Sequence, residues 1–409
     1  MISELEGHRD RAPARESVVA RIPLPAGAAK GGGREHLETV ARILLTLLLL
    51  FVFLAGVNGL SAGFKMLGKD VLGGFFAATA NPFMGLVVGI LATTLVQSSS
   101  VTTSMIVAMV AAPENALPLA NAVPMIMGAN IGTTVTNTLA SLAHMGRRHE
   151  FRRAFAVATC HDFFNFLAVA VLLPVEVATG LLQRGASLAK DLVIGLGGID
   201  YESPLKSILK TAVAPAQTLA EWMFATTTAQ AMLLIGLSGA TIFVALLLLV
   251  RSLKSVMRTR AEIYVTRALN TSTPVAILLG VLITVSVQSS SITTSLLVPL
   301  AGAGLLTLER AFPITLGANV GTTITALLAS MAVSGPNAAA GVTIALVHLF
   351  FNLIGIALVY GVPGARTLPL RAAARLADTA VESRRLAFLY VLGLFYGLPA
   401  LLIFVFRLL

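Results

Sequence analysis

An amide followed by a run of hydroxyls occurs twice in this chain, each time inside an otherwise apolar segment. The first is Gln97-Ser98-Ser99-Ser100-Val101-Thr102-Thr103-Ser104 and the second is Gln288-Ser289-Ser290-Ser291-Ile292-Thr293-Thr294-Ser295. Polar groups in an apolar medium cost free energy unless they find partners. If a helix breaks at each glutamine, the serines stand at a free helix N-terminus. Unpaired N–H groups there favour an anion, and hydroxyls add rotatable donors. The same oxygens and nearby carbonyls suit a hard cation such as sodium. Small hydroxylated residues also serve to pack membrane helices closely. Packing alone, however, does not require a glutamine followed by three serines in both places.

Two further blocks recur. Gly128-Ala129-Asn130-Ile131-Gly132-Thr133-Thr134 is matched by Gly317-Ala318-Asn319-Val320-Gly321-Thr322-Thr323, and His161-Asp162-Phe163-Phe164-Asn165 by His348-Leu349-Phe350-Phe351-Asn352. Asn130 and Asn319 add amides, and the glycines after them permit close backbone approach. Asp162 lies in an apolar run, and a carboxylate within a membrane is a functional candidate by default. It has three open roles: holding sodium, exchanging a proton, or pairing with His161. Its partner in the second block is Leu349, so the copies are chemically unequal there. His161 and His348 read as core hydrogen-bonding residues rather than ligands of a metal.

The elements that position these residues follow from the repeat and the composition. The three blocks keep their order at offsets of 191, 189 and 187, which marks a duplication. Of the 409 residues, 56% are hydrophobic and 12% charged, against about 25% charged in soluble domains. No Asp, Glu, Lys or Arg occurs in 43–64, 71–113, 115–146, 222–250, 268–308, 311–365 or 386–406. A crossing helix needs roughly 20 apolar residues, and open sheets are excluded at that depth. The strand-prone run Thr241–Val250 is therefore expected to be helical. The net charge of +10 comes from arginines in short loops between apolar runs. That pattern orients a membrane protein and does not indicate nucleic acid. The lone Cys160 forms no internal disulfide.

Arginine placement gives the orientation. Segments 144–153, 251–267 and 362–386 are basic and read as cytoplasmic, while 176–221 balances its charges and reads as outside. The basic 144–153 loop corresponds to the uncharged stretch Met331–Ala338. This is the pattern expected if the second half is inserted upside down. The expected fold is an all-α polytopic membrane protein of two inverted-topology repeats with re-entrant or discontinuous helices. A disordered cytoplasmic tail is expected over 1–37, a first repeat over 38–175 and an extracytoplasmic linker over 176–225. A second repeat follows over 226–361, then a cytoplasmic loop over 362–386 and a final helix over 387–409.

These residues resemble the type II sodium-dependent phosphate cotransporter family, known from animal kidney and intestine and with bacterial relatives. The likeness rests on the doubled Gln-Ser-Ser-Ser and Gly-Ala-Asn-(Ile/Val)-Gly-Thr-Thr blocks and on Glu150-Phe151-Arg152-Arg153-Ala154-Phe155 through Asn165 to Leu172-Leu173-Pro174. It spans about residues 38–175 and 226–361 and implies sodium-coupled uptake of phosphate. Substrate contacts would come from Gln97, Ser98, Ser99, Ser100, Gln288, Ser289, Ser290 and Ser291, with Asn130 and Asn319. The resemblance implies a sodium site at Asn165, Gln288, Thr322 and Thr325. Asp162 matches an aspartate of the charge-moving members, which implies electrogenic transport. The chain departs from the animal pattern at His144, Arg147 and Ala318. Its short middle segment, without a glycosylation motif in 176–221, leads to the expectation of a bacterial inner-membrane member, and the arginine placement to that of a cytoplasmic N-terminus. The partners expected are phosphate, sodium and lipid. No cofactor and no enzymatic reaction are implied. Proton coupling, another oxyanion, or a phosphate sensor without turnover are the alternatives.

Overall fold

Where the surroundings offer no water, the backbone must close its hydrogen bonds within each segment. All regular elements among the described residues are helices. The structure, a computed structural model, describes residues 32–67, 69–197, 204–268 and 272–408. Its contacts divide it into two units, Met1–Ile43 and Leu44–Leu409. The first is described from residue 32, as the start of α1. The tail expected over 1–37 falls outside the described residues up to residue 31.

In chain order the helices are α1 (Gly32–Met66), α2 (Lys69–Ala80), α3 (Pro82–Val96), α4 (Ser99–Val110), α5 (Leu119–Thr133), α6 (Val135–Leu142), α7 (Arg148–Thr179), α8 (Leu181–Gly197) and α9 (Pro204–Met223). They continue as α10 (Thr227–Ala268), α11 (Thr273–Val287), α12 (Ser290–Gly302), α13 (Leu308–Ala332), α14 (Ala338–Gly361), α15 (Thr367–Glu382) and α16 (Arg384–Phe388). A π-helical stretch, Leu389–Gly397, then joins α16 to α17 (Leu398–Leu408). Among the described residues six segments are long and apolar enough to cross a membrane: Val40–Met66, Arg148–Thr179, Thr227–Leu249, Leu308–Ala332, Ala338–Gly361 and Arg384–Phe406. The protein is an all-α polytopic membrane protein. Thr241–Val250 is helical within α10 despite its branched residues.

The long uncharged runs resolve into shorter pieces. Run 71–113 holds most of α2, all of α3 and all of α4, and run 268–308 holds α11 and α12. Three charged segments carry more helix than their composition suggests. Residues 251–267 continue α10 without interruption, in keeping with the high helix propensity of Lys and Arg. The middle segment contains α8 and α9. Glu176 starts α8 by accepting from the backbone N–H of Leu182 at 2.6 Å and of Gln183 at 3.2 Å. Segment 362–386 contains α15, which buries Pro369, Ala373, Ala377 and Ala380 on one side and exposes Arg371 and Arg375 on the other. Arg152 of α7 pairs with Asp378 of α15, and this hydrogen bond holds the Asp378 carboxyl below its usual range. Arg153 donates to the Gly302 carbonyl at 2.7 Å, placing a cation at the C-terminus of α12.

Two helix pairs set the geometry of the polar blocks. α3 packs on α5, and α11 packs on α13, with backbone touching backbone. A methyl group at Gly89 would overlap the Met125 carbonyl, and one at Gly128 the Leu86 carbonyl. Gly280 and Gly317 stand in the same relation to the carbonyls of Ile314 and Ile277. Glycine at these crossings is what lets apolar helices approach closely without a hydrophobic driving force. Pro124 in α5 and Pro313 in α13 occupy equivalent places. Gly317→Ala is expected to destabilise the fold by about 1–3 kcal/mol through overpacking. Thermal unfolding in detergent measures this as an earlier midpoint. Gly236→Ala, whose methyl group meets open space, should change stability by no more than about 0.5 kcal/mol.

Candidate functional site

Each Gln-Ser-Ser-Ser block is a break between two helices, and the two breaks have the same backbone. Gln97 ends α3 at φ 58°, ψ 24°, and Gln288 ends α11 at φ 56°, ψ 28°. Ser98 then caps α4 from φ −152°, ψ 107°, and Ser289 caps α12 from φ −155°, ψ 111°. Each serine oxygen accepts the N–H three residues on, Val101 or Ile292, at 3.4 Å. Left-handed backbone costs an L-residue roughly 1–2 kcal/mol, and helix ends normally place glycine there. Among the described residues only Gln97, Asn115 and Gln288 adopt it without being glycine.

The glutamine side chains explain the exception. Thr136 of α6 donates to Gln97 Oε1 at 3.0 Å, and Thr325 of α13 donates to Gln288 Oε1 at 3.0 Å. Each amide nitrogen turns back on the helix that it ends. Gln97 Nε2 donates to the Thr94 carbonyl at 2.5 Å and Gln288 Nε2 to the Val285 carbonyl at 2.7 Å, so each break satisfies a terminal carbonyl. The halves then diverge. Gln97 Nε2 gives its second hydrogen to the Tyr396 hydroxyl at 2.9 Å. Among the described residues the second hydrogen of Gln288 has no such partner.

Both breaks open into one cavity of about 240 Å³. Gln97, Ser98, Ser100, Gln288 and Ser289 line it, with an apolar wall from Val96, Val101, Phe243, Leu246 and Leu247. The N-termini of α4 and α12 thus meet at one space, where orphan N–H groups favour negative charge. Ser99 and Ser290 are buried and Ser291 is half-buried, all three outside the lining.

Asn130 and Asn319 lie elsewhere, in a buried lattice that joins the two sets of blocks. His161 Nε2 is 2.5 Å from Asn319 Oδ1, and His348 Nε2 is 3.3 Å from Asn130 Oδ1. Asn319 Nδ2 donates to Asn165 Oδ1 at 2.9 Å, and Asn165 Nδ2 donates to the Asn130 carbonyl at 2.8 Å. Each histidine of one half therefore meets the asparagine of the other. Thr322 sits one turn after Asn319 on α13 and donates to the Ala318 carbonyl at 3.0 Å, with Thr325 a further turn on.

Asp162 is fully buried on α7. Tyr390 donates to its Oδ2 at 2.7 Å and Thr138 at 3.4 Å, while Oδ1 has no hydrogen-bond partner among the described residues. The pairing considered between Asp162 and His161 does not form. Consecutive helical residues point about 100° apart, and His161 turns to Asn319 instead. His144 and Arg147, two of the positions that depart from the animal pattern, both face Glu150, at 3.8 and 2.7 Å. Sequence reasoning missed Thr136, Thr138, Tyr390 and Tyr396. Thr136 was within reach, because it precedes Thr325 by the same offset of 189 that relates the asparagine blocks. The tyrosines lie beyond the repeat and carry no such signal.

Known proteins are similar to this chain in sequence. The family described as Na+/Pi-cotransporter matches residues 52–198 and 241–365. The sheep sodium-dependent phosphate transport protein 2A is 35% identical over 97% of this chain and 73% of its own length. The rat protein 2A is 37% identical over 88% of this chain and 67% of its own. The human protein 2B is 35% identical over 88% of this chain, which spans only 65% of that relative's length. No solved structure matches. These relatives are named as transport proteins, not enzymes. They also correct one expectation. The short middle segment suggests a bacterial member of the family in a bacterial inner membrane, but the relatives found are mammalian. The length of a connecting segment reports on its decoration and not on the source of the chain. The matched region takes in all three pairs of polar blocks and the helices that carry them, and on that extent the chain belongs to the Na+/Pi-cotransporter family.

Proposed function

We propose that this protein moves inorganic phosphate across the membrane together with sodium, as an electrogenic symporter working in the direction of uptake. The observation that carries this reading is the shared cavity, where two Gln-Ser breaks present two helix N-termini to one space. Phosphate near neutral pH carries between one and two negative charges, and hydrocarbon excludes such an ion. Ser98, Ser100 and Ser289, the orphan N–H groups behind them and the free amide hydrogen of Gln288 would replace its water. Ser99, Ser290 and Ser291 would support the caps from behind, and Asn130 and Asn319 would hold the two halves in register.

Sodium would be held by oxygens of Asn165, Gln288, Thr322 and Thr325. The contact between Thr325 and Gln288 and the bond between Asn319 and Asn165 support that grouping. Asp162 would add a carboxylate one turn before Asn165. Each elementary charge moved through 100 mV is worth about 2.3 kcal/mol, so one sodium beyond neutrality would steepen accumulation.

The proposed organisation is two repeats, 38–175 and 226–361, inserted in opposite senses. The matching breaks at Gln97 and Gln288 and the charge contrast between 144–153 and 331–338 favour it. The paired short helices α3–α4 and α11–α12 would enter the membrane and turn at the glutamines. Segment 176–225 would join the repeats outside, 362–386 would lie at the cytoplasmic face, and 387–409 would add a final crossing.

In proteoliposomes an inward sodium gradient should drive accumulation of labelled phosphate. Equal uptake with choline in place of sodium would sink the coupling. Competition by sulfate and arsenate, and a proton gradient imposed without sodium, separate the other oxyanion and proton-coupled readings in the same assay. Replacing both caps, Ser98→Ala with Ser289→Ala, removes about 1 kcal/mol of helix capping at each break. It should raise the phosphate KM at least fivefold in protein that remains monodisperse, and an unchanged KM would count against the shared site. Asp162→Gly should reduce the charge moved per phosphate, measured as current against tracer flux. An unchanged ratio would remove the carboxylate from the cation pathway.

A further inference from the structure

The two halves carry near-identical breaks, yet the final helix bonds to only one of them. Its π-helical stretch places two tyrosines in contact with first-half residues. The Tyr390 hydroxyl donates to Asp162 Oδ2 at 2.7 Å. The Tyr396 hydroxyl accepts from Gln97 Nε2 at 2.9 Å and lies 3.4 Å from the Thr94 carbonyl. Among the described residues the second half has neither contact. Gln288 Nε2 bonds the Val285 carbonyl, and the residue matching Asp162 is Leu349. The helix is firmly seated where it makes these bonds. Val391 and Phe395 are fully buried, Phe395 stacks on Phe166 at 6.4 Å, and Tyr390 packs edge-on to Phe155 and Phe395. π-helical segments are rare and recur at functional sites.

We propose that Tyr390 and Tyr396 are positioning residues that make the two halves unequal. Tyr390 fixes the Asp162 carboxyl through Oδ2 and leaves Oδ1, buried and without a partner among the described residues, as the oxygen presented to a cation. Tyr396 uses up the amide of Gln97 and so locks the strained break that aims Ser98 and the α4 N-terminus at the cavity. Gln288, not held in this way, keeps a hydrogen for the anion. The final helix thereby braces a cation-facing group and an anion-facing group at once, through one rigid element that lies outside the duplication. This rests on the transport reading given above.

Tyrosine-to-phenylalanine changes test it, because they remove one oxygen and keep the packing. In proteoliposomes, sodium activation and phosphate saturation are measured for the unaltered protein, Tyr390→Phe, Tyr396→Phe and Asp162→Asn, and for Tyr390→Phe combined with Asp162→Asn. Tyr390→Phe should raise the half-saturating sodium concentration about tenfold, as expected for a lost hydrogen bond to a carboxylate, with the phosphate KM at saturating sodium within about twofold. Tyr396→Phe should do the reverse, raising the phosphate KM about fivefold. In the Asp162→Asn background, Tyr390→Phe should add less than about twofold, since its partner is already altered. If both variants lower only the maximal rate, or shift both constants alike, the tyrosines are packing residues and the proposal is overturned. It is overturned as well if the two changes multiply independently in the double variant. An unaltered protein that shows no sodium-driven uptake would instead defeat the transport reading itself. In that event, equilibrium binding of labelled phosphate to Tyr396→Phe still tests the brace on Gln97: affinity equal to that of the unaltered protein rejects it, and about fivefold weaker affinity supports it.

Discussion

Two glutamines are held in left-handed backbone, and the geometry of the site depends on how they are satisfied. A long L-residue at that position opposes the local sterics by roughly 1–2 kcal/mol. At Gln97 and Gln288 a threonine hydroxyl meets the amide oxygen, and the amide nitrogen closes a terminal carbonyl of the same helix. The break is therefore stable without glycine, and it leaves a helix N-terminus with a serine cap just beyond it. The threonine supplies the donor that the glutamine oxygen otherwise lacks among the described residues. Thr136 and Thr325 stand at the right depth because α3 on α5 and α11 on α13 cross through glycine contacts that admit no methyl group.

Burial of polar groups inside an apolar protein is tolerable only where donors and acceptors match. The His–Asn lattice meets that condition across the two halves at Nε2 of each histidine and at the amides they face. Asn319 accepts from His161 and donates to Asn165, while Asn130 meets His348 through Oδ1 and accepts from Asn165 through its backbone carbonyl. Among the described residues specific buried atoms are left over, Nδ1 of both His161 and His348 as well as Asp162 Oδ1 and Asn352 Oδ1. The two histidine nitrogens are left over alike in both halves, whereas Asp162 Oδ1 and Asn352 Oδ1 have no counterpart left over. At Asp162 the cause is visible in the covalent sequence, since the second half has leucine there.

The helical class, the duplication and the residues at the breaks were legible in the sequence. Uncharged runs of that length admit only helices in a membrane, and blocks repeated at nearly constant offsets betray a duplicated unit whatever its fold. Gln97, Ser98, Ser100, Gln288 and Ser289 could be named because amides and hydroxyls are conspicuous against Leu and Val. In run 71–113 the break between α3 and α4 was foreshadowed by the glutamine, while the one between α2 and α3 was not. The helical continuation of α10 through 251–267 was not, because the same arginines serve a loop or a helix equally well.

Tertiary structure alone decided which polar residues face the cavity and which face one another. Sequence spacing gives the direction of a side chain relative to its own helix but not the neighbour that it meets. Ser99 and Ser100 are adjacent, yet only Ser100 reaches the cavity. His161 and Asp162 are adjacent, yet one bonds Asn319 and the other Tyr390. The final helix shows the limit most clearly. Tyr390 and Tyr396 stand more than 220 residues from their partners, outside any repeat. Only the packing of Val391 and Phe395 brings their hydroxyls to Asp162 and Gln97, because a contact between distant segments is fixed by the shape of the buried surfaces and not by local pattern.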